Sequence, residues 1–191
     1  KLLVIGSGAI GVEFASFYND MGADVTIVEM LPRVLPVEDE EVSVFMDKAL
    51  KKQGIEILTG AGVEKIETSA KNVKASIKGK DGKVTTTEYS HVIVAIGIVP
   101  NTENIGIETL GIETDRGHIK VDGYARTNVE GVYAIGDVTG APWLAHKASH
   151  EGVVCVEAIA GLNPHPFKTW NIPGCTYSRP QVASVGMTEA K

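Results

Sequence analysis

Leu2-Leu3-Val4-Ile5-Gly6-Ser7-Gly8-Ala9-Ile10-Gly11-Val12-Glu13 opens the chain with an apolar run, a glycine-rich turn and the start of a helical pattern. Glycine at the first position of the turn permits a sharp bend. At the third position it lets another group approach the backbone, and at the sixth it lets helix and strand pack closely. Beyond the turn, Val12 to Met21 reads as a helix carrying Phe14, Ala15, Phe17 and Tyr18 and stopped by Gly22. Val25-Thr26-Ile27-Val28-Glu29 reads as the next strand.

A helix that begins on such a turn leaves backbone N–H groups unpaired at its positive end, where phosphate is stabilised. The spacing Gly6-Ser7-Gly8-Ala9-Ile10-Gly11, set between strand and helix, is thus the pattern of a dinucleotide site. Glu29 adds to it, 23 residues after Gly6 at the end of the second strand. A carboxylate there accepts both hydroxyls of an adenosine ribose and repels a 2′-phosphate, which predicts NAD over NADP. The plain alternative for Glu29 is a solvated charge at a strand end. Arg33 is close enough in sequence to neutralise a 2′-phosphate, but no basic cluster replaces Glu29.

Farther along, Val42, Phe45, Met46, Ala49 and Leu50 share one face of a helix expected from Glu38 to Gln53, with acids at its start, lysines at its end and Gly54 after it. Ile55 to Leu58 follows as a third parallel-type strand. From Gly62 to Tyr89 the pattern is alternating and β-branched, with a turn at Lys80-Asp81-Gly82-Lys83, and reads as an antiparallel meander. The apolar run His91 to Ile96 before Gly97 then returns to a buried parallel sheet. Pro100-Asn101 marks a boundary. Past it, His118 to Val121 and Val132 to Ile135 read as strands, and Ala145 to Ala160 as a helix closed by Gly161. Asn163 to Pro166 reads as a linker, and Tyr177 to Val185 as extended.

Composition narrows the function classes. With 191 residues, 43% of them hydrophobic, the chain can bury a sizeable core. A net charge of -6 leaves no surplus of cations for a nucleic acid, although one cofactor phosphate needs only backbone N–H groups. No apolar run reaches the ~20 residues that span a bilayer, and no segment has the order of a signal peptide. Cys155 and Cys175 cannot make a disulfide framework and fit a reducing compartment, cytoplasm or organelle matrix. His146 and His150 lie one helical turn apart, but no third ligand accompanies them and no metal site is expected. The chain begins directly on a strand pattern at Lys1 and stops at Thr188-Glu189-Ala190-Lys191, where Thr188 reads as the N-cap of a helix hardly begun. It is therefore expected to be an internal segment of a longer protein.

At Ala134-Ile135-Gly136-Asp137 and Leu144-Ala145-His146-Lys147-Ala148 the sequence resembles the pyridine nucleotide-disulfide reductase family. The similarity runs from Val4-Ile5-Gly6 through Val12-Glu13 to Tyr177-Ser178-Arg179-Pro180-Gln181-Val182-Ala183. The resemblance implies an α/β chain with a Rossmann-like parallel sheet and an antiparallel β-meander, followed by a partial central domain of FAD type. It divides the chain into an NAD-binding domain (1–100), a central domain contributing to FAD binding (101–168) and the truncated start of a dimerisation domain (169–191). The implied activity is that of a flavin-dependent disulfide oxidoreductase, closest to the members that oxidise dihydrolipoamide with NAD+. A lipoyl-bearing protein would be the substrate and a second copy the dimer partner. A mercuric or glutathione reductase type, or a stand-alone nucleotide-binding module, is the alternative.

Carried onto this sequence, the resemblance implies NAD contacts from Gly6, Ser7, Gly8, Ala9, Ile10, Gly11, Val12, Glu13, Glu29, Val63 and Gly97. Glu13 would face the nicotinamide side and pair with a lysine of the FAD domain. Its bland alternative is a carboxylate near a helix N-terminus, stabilised by ~0.3–1 kcal/mol. Asp137 would accept a hydrogen bond from the FAD ribityl chain, with Trp143, Leu144, Ala145 and His146 against the flavin. The family often has two basic residues after the glycine at position 97, where this chain has Ile98-Val99. Its closely spaced redox cysteines lie in the FAD domain, whereas Cys155 and Cys175 are 20 residues apart, so no catalytic residue is assigned here. The chain alone is expected neither to turn over nor to retain FAD.

Overall fold

The computed structural model describes residues 1–190. Its sequence of elements begins β1 (Leu2–Ile5), α1 (Ala9–Asp20), β2 (Val25–Glu29), α2 (Glu40–Lys52) and β3 (Glu56–Thr59). It continues through β4 (Gly62–Thr68), β5 (Val73–Lys78), β6 (Val84–Tyr89) and β7 (His91–Val94). Strands β3-β2-β1-β7 form one sheet in that order, all parallel, with Val4 opposite both Ile27 and Ile93. The central strands β1 and β2 are buried on both faces, which are covered, and are apolar except for Thr26 and Glu29. Val4 and Ile27 pack with Val12, Ala15, Met46 and Leu50 of the helices. Leu3 and Val28 pack on the opposite face with Ala75, Ile77 and Tyr89 of the antiparallel meander β4-β5-β6. The strand after the meander rejoins the parallel sheet only at its edge, ends at Val94 and leaves Val94 and Ile96 exposed, so the expected burial of that run is partial.

Helix α1 starts three residues before the expected Val12, because Gly8 takes the N-cap conformation and Val12 N–H already bonds to Gly8 O at 3.0 Å. Its buried face is Gly11, Val12, Ala15 and Ser16, small residues that bring the helix close to the sheet. The aromatic residues that mark it as a helix point outward instead: Phe14, Phe17 and Tyr18 are exposed, Phe14 stacked with Tyr18 and Phe17 edge-on to it. A Cβ on Gly11 would collide with the Gly6 carbonyl oxygen. Gly11→Ala is therefore expected to destabilise the chain by about 1–3 kcal/mol, the usual cost of overpacking, as read from urea unfolding followed by circular dichroism.

Helix α2 buries Ser43, Met46 and Leu50, while Phe45, expected on the same face, is exposed. Its cap is Asp39, whose carboxylate accepts the backbone N–H groups of Glu189 and Glu41. Those two bonds hold the Asp39 pKa below the usual carboxylate range.

The chain forms two compact units, Lys1–Gly97 together with the stretch from Cys175 onward, and Ile98–Gly174. In the first, β10 (Gly174–Thr176) pairs with β11 (Val182–Ser184), and Val182 joins the helix-side core. Residues 189 and 190, directly after Thr188, form a turn.

The second unit holds the short hairpin β8 (Thr114–Asp115) and β9 (His118–Ile119), and the helix α3 (Ala145–Ile159). The strand expected at His118 to Val121 shortens to two residues. The strand expected at Val132 to Ile135 is absent apart from one bridge, Arg126 with Tyr133. Pairing is confined to that bridge: Thr127 N–H bonds to Val132 O and Ala134 N–H to Ala125 O on either side of it, while Val132 N–H turns back to Val129 O. No helix among the described residues is long and apolar enough to cross a membrane.

Candidate functional site

The order β3-β2-β1-β7 reverses direction at β1, since the chain steps outward through β2 and β3 and then returns to the far side of β1. Open parallel sheets bind ligands in the crevice outside the carboxyl ends of their strands at such a point. Here the glycine turn leaves β1 and Gly97 follows β7, with Ala95 N–H still bonded to Ile5 O at 2.7 Å. Gly6 has φ +98°, and a Cβ on it would lie 2.8 Å from the Ala95 carbonyl carbon. Glycine at positions 6 and 11 is therefore required by the protein's own packing.

Gly8 differs. Its φ of −66° suits any residue, and a Cβ there would meet no protein atom within 4 Å. Neither conformation nor packing asks for glycine at this position. What a side chain would fill is the space before the first turn of α1, where no side chain caps the helix and the first turn itself carries no acid. Ala9 and Ile10 are exposed beside it.

Glu29 ends β2 and is only 8% exposed, so it is not a solvated strand-end charge. Its Oε2 accepts the N–H and the hydroxyl of Ser7, each at 2.8 Å, and its Oε1 accepts Leu31 N–H at 2.8 Å. The carboxylate thus ties the glycine turn to the end of the neighbouring strand. Arg33 is turned to its own loop: its guanidinium donates to Pro36 O and Glu38 O and lies 3.6 Å from Glu40. Ala61 N–H bonds to Glu29 O, which brings the start of β4 and half-buried Val63 to this end of the sheet. Gly97, at φ +142°, is exposed. Val12 is fully buried in the core. Glu13 is half-buried and accepts Tyr177 N–H at 2.7 Å, while Arg179 N–H bonds to Ser16 Oγ and its side chain to Asp20 and Gln53. Glu13 thereby also anchors the extended segment after Cys175.

In the second unit, Asp137 is exposed in a short 3-10 turn, Gly136–Thr139. Leu144 is the N-cap of α3, again without a side-chain cap, and Ala145 and His146 are exposed in its first turn. Trp143 lies over His118, with ring centroids 5.9 Å apart, and His146 Nε2 is 2.9 Å from Pro173 O. The unforeseen feature lies behind this turn. Lys147 and Glu151 form an ion pair at 2.9 Å with side chains only 1% and 8% exposed. A signal for it was present, since Lys147, Glu151 and Cys155 recur every four residues and form the buried stripe of α3. Cys155 is buried and Cys175 half-buried, both as free thiols. Among the described residues no group of three or more His, Cys, Asp or Glu side chains is gathered as a metal ion requires.

A doubly covered parallel sheet with a glycine turn and a strand-end carboxylate at its switch point is the α/β architecture of the Rossmann-like class of folds. Residues 1–152 match the family described as pyridine nucleotide-disulphide oxidoreductase, and the chain belongs to that family. It is 63% identical to a dihydrolipoyl dehydrogenase of Zymomonas mobilis over 100% of this chain and 41% of that protein. To a dihydrolipoyl dehydrogenase of Rhizobium etli it is 56% identical, over 100% of this chain and 40% of the relative. Among solved structures it resembles LpdA of Mycobacterium tuberculosis, with TM-score 0.88 and 32% identity over 99% of this chain and 40% of that one. It also resembles the HOCl-induced flavoprotein disulfide reductase RclA of Escherichia coli, with TM-score 0.89 and 29% identity over 99% and 42% of the two chains. The chain thus spans about two fifths of the length of the curated relatives it matches.

Proposed function

We propose that this chain is the NAD-binding and central segment of a dihydrolipoyl dehydrogenase, which oxidises dihydrolipoamide on a lipoyl-bearing protein and reduces NAD+. The observation that carries the reading is Gly8, a glycine that nothing within the protein requires, set before an uncapped helix start. In this reading the turn Gly6, Ser7, Gly8, Ala9, Ile10 and Gly11 seats the pyrophosphate, the N–H groups at the start of α1 and the helix dipole opposing its charge, while the N–H groups of Gly6 and Ser7 stay on Val28 O and Glu29. Glu29 orients the adenosine ribose, Val63 and Gly97 line the NAD site and Glu13 faces the nicotinamide side, whereas Val12, fully buried in the core, supports the start of α1 from behind and does not meet the cofactor. Asp137 accepts a hydrogen bond from the FAD ribityl chain, with Trp143, Leu144, Ala145 and His146 beside it. FAD, when bound, supplies the two-electron redox chemistry, and these residues supply position and the exclusion of water.

The names of the relatives favour a dihydrolipoamide substrate over a mercuric or glutathione reductase type. The same reading assigns residues 169–191 to a dimerisation domain that meets a second copy, and a cytoplasmic location. Taken alone, with two free cysteines 20 residues apart, the 191 residues are expected to bind nucleotide without turnover.

Gly8→Ala separates the ligand from the fold. Because its backbone is compatible with alanine, the substitution is expected to leave stability unchanged or raise it by up to about 1 kcal/mol. The same methyl group occupies the pyrophosphate space and is expected to weaken NADH binding at least about tenfold, a loss of ~1.4 kcal/mol. Calorimetric titration of both chains with NADH measures it. Equal affinity in native and variant chains would overturn the reading, as would a native chain that binds neither NADH nor NADPH.

A further inference from the structure

Gly136, which begins the turn carrying Asp137, has φ +81° and is buried. Its two backbone groups are gripped by the two halves of one ion pair. Gly136 N–H donates to Glu151 Oε2 at 2.7 Å, and Lys147 Nζ donates to Gly136 O at 3.0 Å. The remaining capacity of the pair is spent on the same short turn: Lys147 Nζ also donates to Thr139 Oγ1 at 3.0 Å and meets Glu151 Oε1 at 2.9 Å. Thr139 Oγ1 in turn donates to Gly136 O at 2.8 Å. A lysine ammonium has three donors, and here all three have partners.

A pair that served only the helix would do better in the opposite order, since Glu preceding Lys by four residues is the stabilising arrangement. Burying both charges is also costly unless further hydrogen bonds satisfy them, and those bonds go to the turn and not to the helix. We infer that Lys147 and Glu151 are a positioning pair: they hold the Gly136–Asp137 turn in the one conformation that keeps the Asp137 carboxylate outward, toward the ribityl hydroxyls of a flavin. Neither residue touches the flavin in this inference, which rests on the reading of Asp137 given above.

The test compares Asp137→Ala, Glu151→Gln and the double variant Lys147→Met/Glu151→Leu in the full-length flavoprotein proposed above, by titrating the apoprotein with FAD and recording flavin fluorescence. In parallel, amide hydrogen exchange is followed at Gly136 to Thr139. The double variant removes both charges together and so avoids leaving either one buried without a partner. Asp137→Ala and the double variant are each expected to weaken FAD binding about tenfold or more, the cost of losing or misplacing a charge-assisted hydrogen bond. The Gly136 amide is expected to exchange at least about tenfold faster in the double variant, because its acceptor is gone. Glu151→Gln, whose side-chain oxygen still accepts from Gly136, is expected to restore both properties in part. Native FAD affinity in the double variant, alongside weakened Asp137→Ala, would sink the positioning role and leave the flavin reading standing. Native affinity in Asp137→Ala would remove the flavin reading and the inference with it.

Discussion

Glu29→Ala is expected to lower the stability of the chain by about 2–4 kcal/mol and to reduce NADH affinity at least tenfold. The first effect arises within the protein. Ser7 is fully buried, and its N–H and hydroxyl both donate to Glu29 Oε2 at 2.8 Å. Alanine leaves both donors in an apolar site, and each buried group without a partner costs about 1–3 kcal/mol. The hydroxyl can turn, the N–H cannot, and Leu31 N–H, also bonded to Glu29, is only part-buried and recovers water. Glu29→Gln is expected to recover part of the stability, since its amide oxygen can serve Ser7 while its NH2 opposes Leu31 N–H. The second effect is the loss of the acceptor for the ribose hydroxyls. NADPH is not expected to gain, because the Arg33 guanidinium is held by Pro36 O, Glu38 O and Glu40 and not by the ribose side of the site. Urea unfolding and titration with both nucleotides measure the two effects. Native stability in Glu29→Ala would show that water serves Ser7 in place of the carboxylate.

The same residue shows how far sequence carries. The place of Glu29 at the end of β2 beside the glycine turn was legible because a spacing of strand, turn, helix and strand constrains where a side chain ends up. Its grip on Ser7 was not, because that contact crosses between two strands and depends on their register. The parallel sheet, α2 and the meander were legible for similar local reasons: periodicity, caps and glycine stops report the chain's neighbours along the sequence. Where the partner lies far along the chain, the pattern misleads. The aromatics of α1 are helical in spacing yet exposed, because the close approach demanded at Gly11 reserves the inner face for small residues. Val132 to Ile135 has strand composition and makes one bridge, because its pairing with Ala125 to Thr127 stops after the two bonds that flank Arg126 and Tyr133. The candidate site divides the same way. Its glycines announce themselves by local spacing and Asp137 enters only through the family resemblance, whereas the sole trace of the Lys147–Glu151 pair is the four-residue recurrence it shares with Cys155 on α3.

Lys147→Met is expected to have the largest effect on stability, about 3–5 kcal/mol, the range for breaking a buried ion pair by removing one partner. The native pair leaves no charge uncompensated: with Lys147 1% and Glu151 8% exposed, each meets the other's charge and a backbone group of Gly136. Methionine fills the volume of the lysine stem, so the loss is electrostatic and not one of packing. It strands the Glu151 carboxylate in the interior and takes the donor from Gly136 O and Thr139 Oγ1. Adding Glu151→Leu removes the stranded charge, and the double variant is therefore expected to be more stable than Lys147→Met by at least about 2 kcal/mol, since apolar replacement of a whole buried pair is often near neutral. Both tryptophans, Trp143 and Trp170, belong to the unit that contains the pair, so their fluorescence in a urea titration reports its unfolding directly. A single variant within about 1 kcal/mol of the native chain would mean that water reaches Glu151 once the lysine is gone, and an exposed pair of that kind contributes little.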